Sequence, residues 1–161
     1  SMLHMHPNEL RKHMEKQVDS FSSTYDALLL IYGECHNNME NYEEEPKIIR
    51  TNGRNCIEIF LGQDKYKKLE KTKVFFLLPE WTMRWREVFT KELGLNDEIA
   101  HDFMKDMHSS LLYLDTGLEP VPTKTLEEAS QFLGLAYEVM PISLTPLLAN
   151  INSVLKSVDL S

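Results

Sequence analysis

Tyr25-Asp26-Ala27-Leu28-Leu29-Leu30-Ile31-Tyr32-Gly33 decides the fold. Residues 25–32 are too uniformly apolar for a strand with one wet face, and they fit a strand buried on both faces, as in a parallel sheet. Two further runs have the same form: residues 73–78, stopped by Pro79, and residues 110–114, ending in Asp115-Thr116-Gly117. Residues 47–51 and 136–140 supply two more strand-length segments, the first followed by the turn signal Asn52-Gly53. Helical patterns fill the intervals. Pro7 or Asn8 opens a helix to Asp19 with Leu10, His13, Met14 and Val18 on one stripe. Cys56 opens another to Leu61, interrupted by Gly62, with Asp64 capping a continuation to Lys71.

The later half repeats this alternation. Residues 80–93 read as a helix with Trp81, Trp85, Val88, Phe89 and Leu93 inward, stopped by Gly94. Asn96 caps the next helix, which turns Ile99, Phe103, Met104 and Met107 to the core. Residues 125–133 and 144–158 complete the set. Strands alternating with helices predict a single α/β domain over residues 1–161, a three-layer sandwich around a mainly parallel sheet of four or five strands. In that sheet residues 27–32, 74–78 and 111–114 run parallel. Doubly wound folds commonly open with a strand and this chain opens with a helix, so an N-terminal strand is expected ahead of it. An edge left open by that strand invites pairing, which predicts a homodimer.

Composition sets the class. A chain of 161 residues can bury roughly 70% of its unfolded surface. Its net charge of -8 argues against a nucleic-acid groove, which needs clustered Lys and Arg. The densest basic stretch, residues 65–73, is interleaved with Leu69 and Glu70 and reads as a solvated helix face. No run approaches the ~18 apolar residues of a membrane span. Two cysteines, no secretory pattern and eight methionines fit a reducing cytoplasm.

Both cysteines fall where an α/β protein places chemistry. Cys35 follows the first strand and Cys56 stands at the mouth of a helix, where a thiolate is stabilised. Ligands collect beyond the carboxyl ends of the strands, so adjacent strands would bring the two loops together. His4, His6 and His36 complete a set of thiolate and imidazole groups suited to zinc or another transition metal. The spacing matches no zinc finger, and either cysteine also reads as a small buried core residue. Glu80 and Asp115 each follow a strand and are candidates for acid–base work or hydroxyl binding. Each also reads as a cap, Glu80 in a helix first turn and Asp115 in a turn. Gly-rich phosphate loops, serine elbows and Walker-type motifs are absent.

Met2-Leu3-His4-Met5-His6-Pro7, Tyr32-Gly33-Glu34-Cys35-His36, Asn55-Cys56, Phe60-Leu61-Gly62, residues 75–81 and Tyr113-Leu114-Asp115-Thr116-Gly117-Leu118 together carry a resemblance. Through these stretches the chain resembles the prokaryotic family called domain of unknown function 1638. The resemblance implies an additional segment before the leucine–histidine motif. Many relatives carry a His-Asp pair where this chain has Arg54-Asn55, a departure that weakens the carry-over of an imidazole role to position 54. Some relatives look associated with corrinoid methyl-transfer systems, which implies a partner of that kind.

The leading expectation is a cytoplasmic metal-binding protein with Cys35 and Cys56 as thiolate ligands and His4, His6 and His36 as imidazoles. Zinc suits mixed S/N ligation, and such a site is compatible with methyl transfer or hydrolysis. The alternative is a non-catalytic module holding a small-molecule ligand in its strand-end loops or meeting a subunit through an exposed Met/Trp surface. A thiol redox protein would need the two cysteine Cα atoms within ~7 Å.

Overall fold

A computed structural model describes residues 6–34, 48–96 and 99–157. Two compact units divide the chain, residues 1–63 with 144–161 and residues 64–143.

In the first unit, helix α1 (Pro7–Ser22) starts on Pro7, whose fixed φ and missing N–H suit a first turn. Leu10 and Met14 are buried one turn apart, and with Ile48 they form a cluster flanked by Val18, Leu28, Leu30 and Tyr32. His13, on the expected inner stripe, is exposed instead. Strand β1 (Leu28–Leu30) pairs parallel with β2 (Ile48–Arg50), Leu28 opposite Ile48 and Leu30 opposite Arg50. β1 is shorter than the apolar run that announced it and only half-buried, with Ile31 51% exposed. Helix α2 (Cys56–Leu61) follows, capped by Asn55, whose side chain accepts the Glu58 N–H. Gly62 ends α2 in a positive-φ conformation. The helix that follows, α3 (Gln63–Glu70), has Asp64 inside its first turn rather than as its cap, and from Asp64 onward it belongs to the second unit.

The second unit is built on β3 (Phe75–Leu77), β4 (Leu111–Asp115) and β5 (Tyr137–Pro141), all parallel, in the order β3-β4-β5. Leu111 to Leu114 are all buried, as a central strand covered on both faces requires. One face carries Leu111 and Tyr113 into the main core with Leu77, Trp85, Phe89, Met104 and Leu126. On the other face of β3, Phe76 meets Tyr66 of α3, ring centroids 5.9 Å apart. This sheet therefore has helices against both faces. β5 forms an edge with Glu138 and Val139 exposed, and a charge on an edge discourages strand addition.

Mixed α/β character and parallel pairing agree with the sequence, but the five strands among the described residues form two sheets, of two and three strands. Residues 27–32 do not share a ladder with residues 74–78 and 111–114. Alternating strands and helices specify parallel neighbours; they do not specify that successive units share one ladder.

The helix expected over 80–93 is broken. α4 (Pro79–Met83) ends at Arg84, whose φ of -112° and ψ of 18° leave the helical region. α5 (Trp85–Glu87) then runs into a π-helical turn, Val88–Glu92, in which the Leu93 N–H bonds the Val88 carbonyl at 3.0 Å. The wider turn swings Leu93 out to 41% exposure while Trp85, Val88 and Phe89 stay buried.

A second correction concerns α6 (Ala100–Met107). Asn96 does cap the approach, accepting the Ile99 N–H at 3.1 Å. Ala100 and Met104 face the core, whereas Ile99, Phe103 and Met107 are 48%, 47% and 52% exposed. α6 packs against α7 (Thr123–Leu133), and the His101 imidazole lies so close to Gly134 that a Cβ there would be 2.8 Å from its Cγ. His101 Nε2 also bonds the Gln131 carbonyl at 2.9 Å. The buried face is therefore offset by about one residue, roughly 100°, from the one that Ile99, Phe103 and Met107 suggest. The last helix, α8 (Thr145–Lys156), belongs to the first unit, where it packs on α2 and β2. Asn150 of α8 pairs with the Asn52 backbone at both its N–H and its carbonyl.

Candidate functional site

The carboxyl edge of β1–β2 is assembled by hydrogen bonds between the segments leaving the two strands. Thr51, 1% exposed, donates its N–H to the Leu30 carbonyl at 3.1 Å and its hydroxyl to the Tyr32 carbonyl at 3.3 Å. One step further, the Glu34 N–H donates to the Arg54 carbonyl at 2.9 Å. Gly33 packs on the same turn so tightly that a Cβ would lie 2.5 Å from Asn55 Cα. Only a residue without a side chain permits this approach.

Arg54 and Asn55 lead directly into Cys56, the first residue of α2, half-buried. Cys35 follows Glu34 in sequence, and with His4 and His36 it lies outside the described residues. His6 is exposed at the start of α1, where its carbonyl accepts the Glu9 and Leu10 N–H groups at 2.9 Å each. No three His, Cys, Asp or Glu side chains among the described residues gather as metal ligands.

One participant was missed at the sequence level. Glu58 is 6% exposed, and its carboxylate accepts from the Arg54 N–H at 3.0 Å and from Arg54 Nε at 3.2 Å. Asn55-Cys56-Ile57-Glu58 has the spacing of an N-terminal capping box, and that pattern was the signal available.

Glu80 and Asp115 belong to the other unit. Glu80 is exposed in the first turn of α4, where an acidic side chain favours the helix dipole. Asp115 ends β4, and its carboxylate accepts the Gly117 N–H at 2.8 Å, closing the turn. Leu77 is opposite Tyr113, so both carboxylates follow at the carboxyl edge of that sheet. Burial pushes the Tyr113 phenol above its ordinary range, and the charges of Asp115 and Glu119 push it the same way.

These features define a mixed α/β protein with polar loops gathered at the carboxyl ends of short parallel strands. The chain belongs to the family described as Protein of unknown function (DUF1638), whose model matches residues 1–150. Comparison with curated proteins and with solved structures finds no match. Among the described residues, no helix is long and apolar enough to cross a membrane.

Proposed function

We propose that this is a cytoplasmic metal-binding protein whose thiolate ligands are Cys35 and Cys56. Imidazoles come from among His4, His6 and His36, at the carboxyl edge of β1–β2. The observation that supports the reading is the 2.9 Å hydrogen bond from the Glu34 N–H to the Arg54 carbonyl. It ties the residue before Cys35 to a residue two positions before Cys56. The donor set, thiolate with imidazole, suits zinc, and its protonation would make binding weaken as pH falls. A bound zinc ion would supply Lewis acidity, compatible with methyl transfer or hydrolysis. The chain's own part is to hold Cys56 half-buried beside a fixed turn. A corrinoid methyl-transfer protein is the partner that the resemblance suggests.

The deciding experiment is elemental analysis of reduced protein purified without a metal-affinity column, before and after incubation with zinc. Close to one equivalent of metal is expected, with Cys56→Ser retaining less and keeping the wild-type circular dichroism. Wild-type protein that takes up no metal would end the reading.

A second reading, a non-catalytic module for a small ligand or a subunit, is favoured by the exposed row formed by Ile99, at the mouth of α6, with Phe103 and Met107 along it. It predicts a concentration-dependent dimer, or binding of an apolar probe, that Phe103→Glu abolishes. A wild-type chain that stays monomeric and binds no probe would remove it.

A further inference from the structure

We propose that Glu58 is a positioning residue of the Cys56 site, its buried carboxylate fixing the turn on which the exit of β1 docks. This rests on the thiolate site proposed above and gives that site its internal support. Carboxylates are seldom this buried unless paired, and Glu58 is 6% exposed. In a capping box the acidic residue reaches back to the N–H of the cap residue itself. Glu58 reaches one residue further, to the N–H of Arg54 at 3.0 Å, while the cap Asn55 takes the Glu58 N–H at 2.9 Å.

Arg54 is thereby held at both ends of its backbone. Its N–H is given to Glu58, and its carbonyl takes the Glu34 N–H at 2.9 Å. One residue thus connects a carboxylate inside α2 to the segment leaving β1. Gly33, lodged against Asn55 Cα, leaves the contact no slack. The Arg54 guanidinium, 52% exposed, adds a second bond to the same carboxylate oxygen. An exposed guanidinium contributes little to holding a backbone, so the backbone N–H bond is the one that positions. Cys56 lies between the two residues that this carboxylate links, so the distance from Gly33–Glu34 to Cys56 depends on it. Groups that orient metal ligands from behind commonly change affinity by about 10- to 100-fold when removed.

The test uses the full chain with Glu58→Ala, Glu58→Gln and Arg54→Ala, read by amide hydrogen exchange and by cobalt(II) titration of the reduced protein. In Glu58→Ala the Glu34 and Arg54 amides should exchange at least about tenfold faster, and cobalt affinity should fall by a similar factor. The Thr51 amide, bonded to the Leu30 carbonyl, should keep its protection, because the β1–β2 ladder does not depend on Glu58. Glu58→Gln retains an oxygen that accepts from the Arg54 N–H and should restore both readouts. Arg54→Ala keeps the backbone bond and should leave Glu34 exchange unchanged.

Unchanged Glu34 exchange in Glu58→Ala would overturn the proposal, as would equal loss of Thr51 protection, which marks a merely structural role. Should Glu58→Ala fail to fold, faster Glu34 exchange in Arg54→Ala or in Glu58→Gln would overturn it. Wild-type protein that binds no cobalt sinks the metal reading, while the exchange pattern still decides whether Glu58 holds the turn.

Discussion

Gly33→Ala should be among the most damaging single-methyl additions to this chain. The new Cβ would stand 2.5 Å from Asn55 Cα, 2.8 Å from Asn55 N and 2.9 Å from the Arg54 carbonyl oxygen. Carbon atoms in contact settle at about 3.5–4.0 Å, so the two backbones must separate by roughly 1 Å. All three obstructing atoms are backbone, and no side-chain rotation can relieve them. A shift of that size breaks the 2.9 Å bond from the Glu34 N–H to the Arg54 carbonyl. Overpacking costs about 1–3 kcal/mol and the lost hydrogen bond about 0.5–1.5 kcal/mol, together roughly 2–4 kcal/mol. With a urea slope of about 2 kcal/mol per molar, the midpoint should fall by about 1–2 M. Far-ultraviolet circular dichroism is the right probe, since it reads α1 and α2 directly, whereas Trp81 and Trp85 both lie in the other unit. Gly94→Ala is the control: its φ of 66° is unfavourable for alanine, yet nothing lies within 4 Å of a Cβ there. It should cost only about 1 kcal/mol. A Gly33→Ala midpoint equal to wild type would refute the close docking of the β1 exit on the Asn55 turn.

Leu126→Ala, at a position with no exposure in the core of the three-stranded unit, should cost about 2–5 kcal/mol, measured by tryptophan fluorescence in urea. Burial lowers the His108 pKa against a smaller opposing effect of its bond to the Lys73 carbonyl. The unfolded chain therefore binds the extra proton first, so this contribution is complete above about pH 6.5 and is lost as pH falls through the lower folded value. His108→Asn should flatten the fall in melting temperature between pH 7.5 and 5; an identical slope would show that His108 plays no part. Asp115→Asn should keep the turn at Gly117, whereas Asp115→Ala should lose about 0.5–1.5 kcal/mol in thermal unfolding. Equal stability of the two variants would remove the turn role and return Asp115 to the catalytic candidates.

Strand type and direction were legible because Leu111 to Leu114 is an unbroken apolar run bounded by polar residues, and such a run belongs inside a parallel sheet. The division into two ladders was not legible, since hydrogen-bond partners are not encoded in the hydropathy of one strand. The exposure of Phe103 and Met107 was hidden for a related reason. Their spacing suits a buried stripe, but in the folded chain the neighbouring stripe through Ala100 and Met104 is the one that enters the core, with His101 docked against Gly134. At the site, Cys56 was recognisable as the first residue of a helix, whereas the capping role of Asn55 came only with the structure. The partnership of Glu34 with Arg54 could not be read, because it joins residues whose closeness follows from Gly33 meeting Asn55. Glu58 was open to recognition from Asn55-x-x-Glu58, but its reach to Arg54 rather than Asn55 was not.

The turn at Val88–Glu92 has a consequence for chain length. Its closing bond joins the Leu93 N–H to the carbonyl five residues back, so the backbone there holds one residue more than an ordinary helical ring requires. If Thr90 were deleted, the same donor and acceptor would stand four residues apart, and the bond could close as a normal α-helical one. Phe89 would keep its place ahead of the lesion. Elsewhere in a packed helix a one-residue deletion rotates everything beyond it by about 100°. Here the ladder can absorb the change locally, so the loss of one residue from this stretch should disturb the helix beyond it less than the same loss elsewhere.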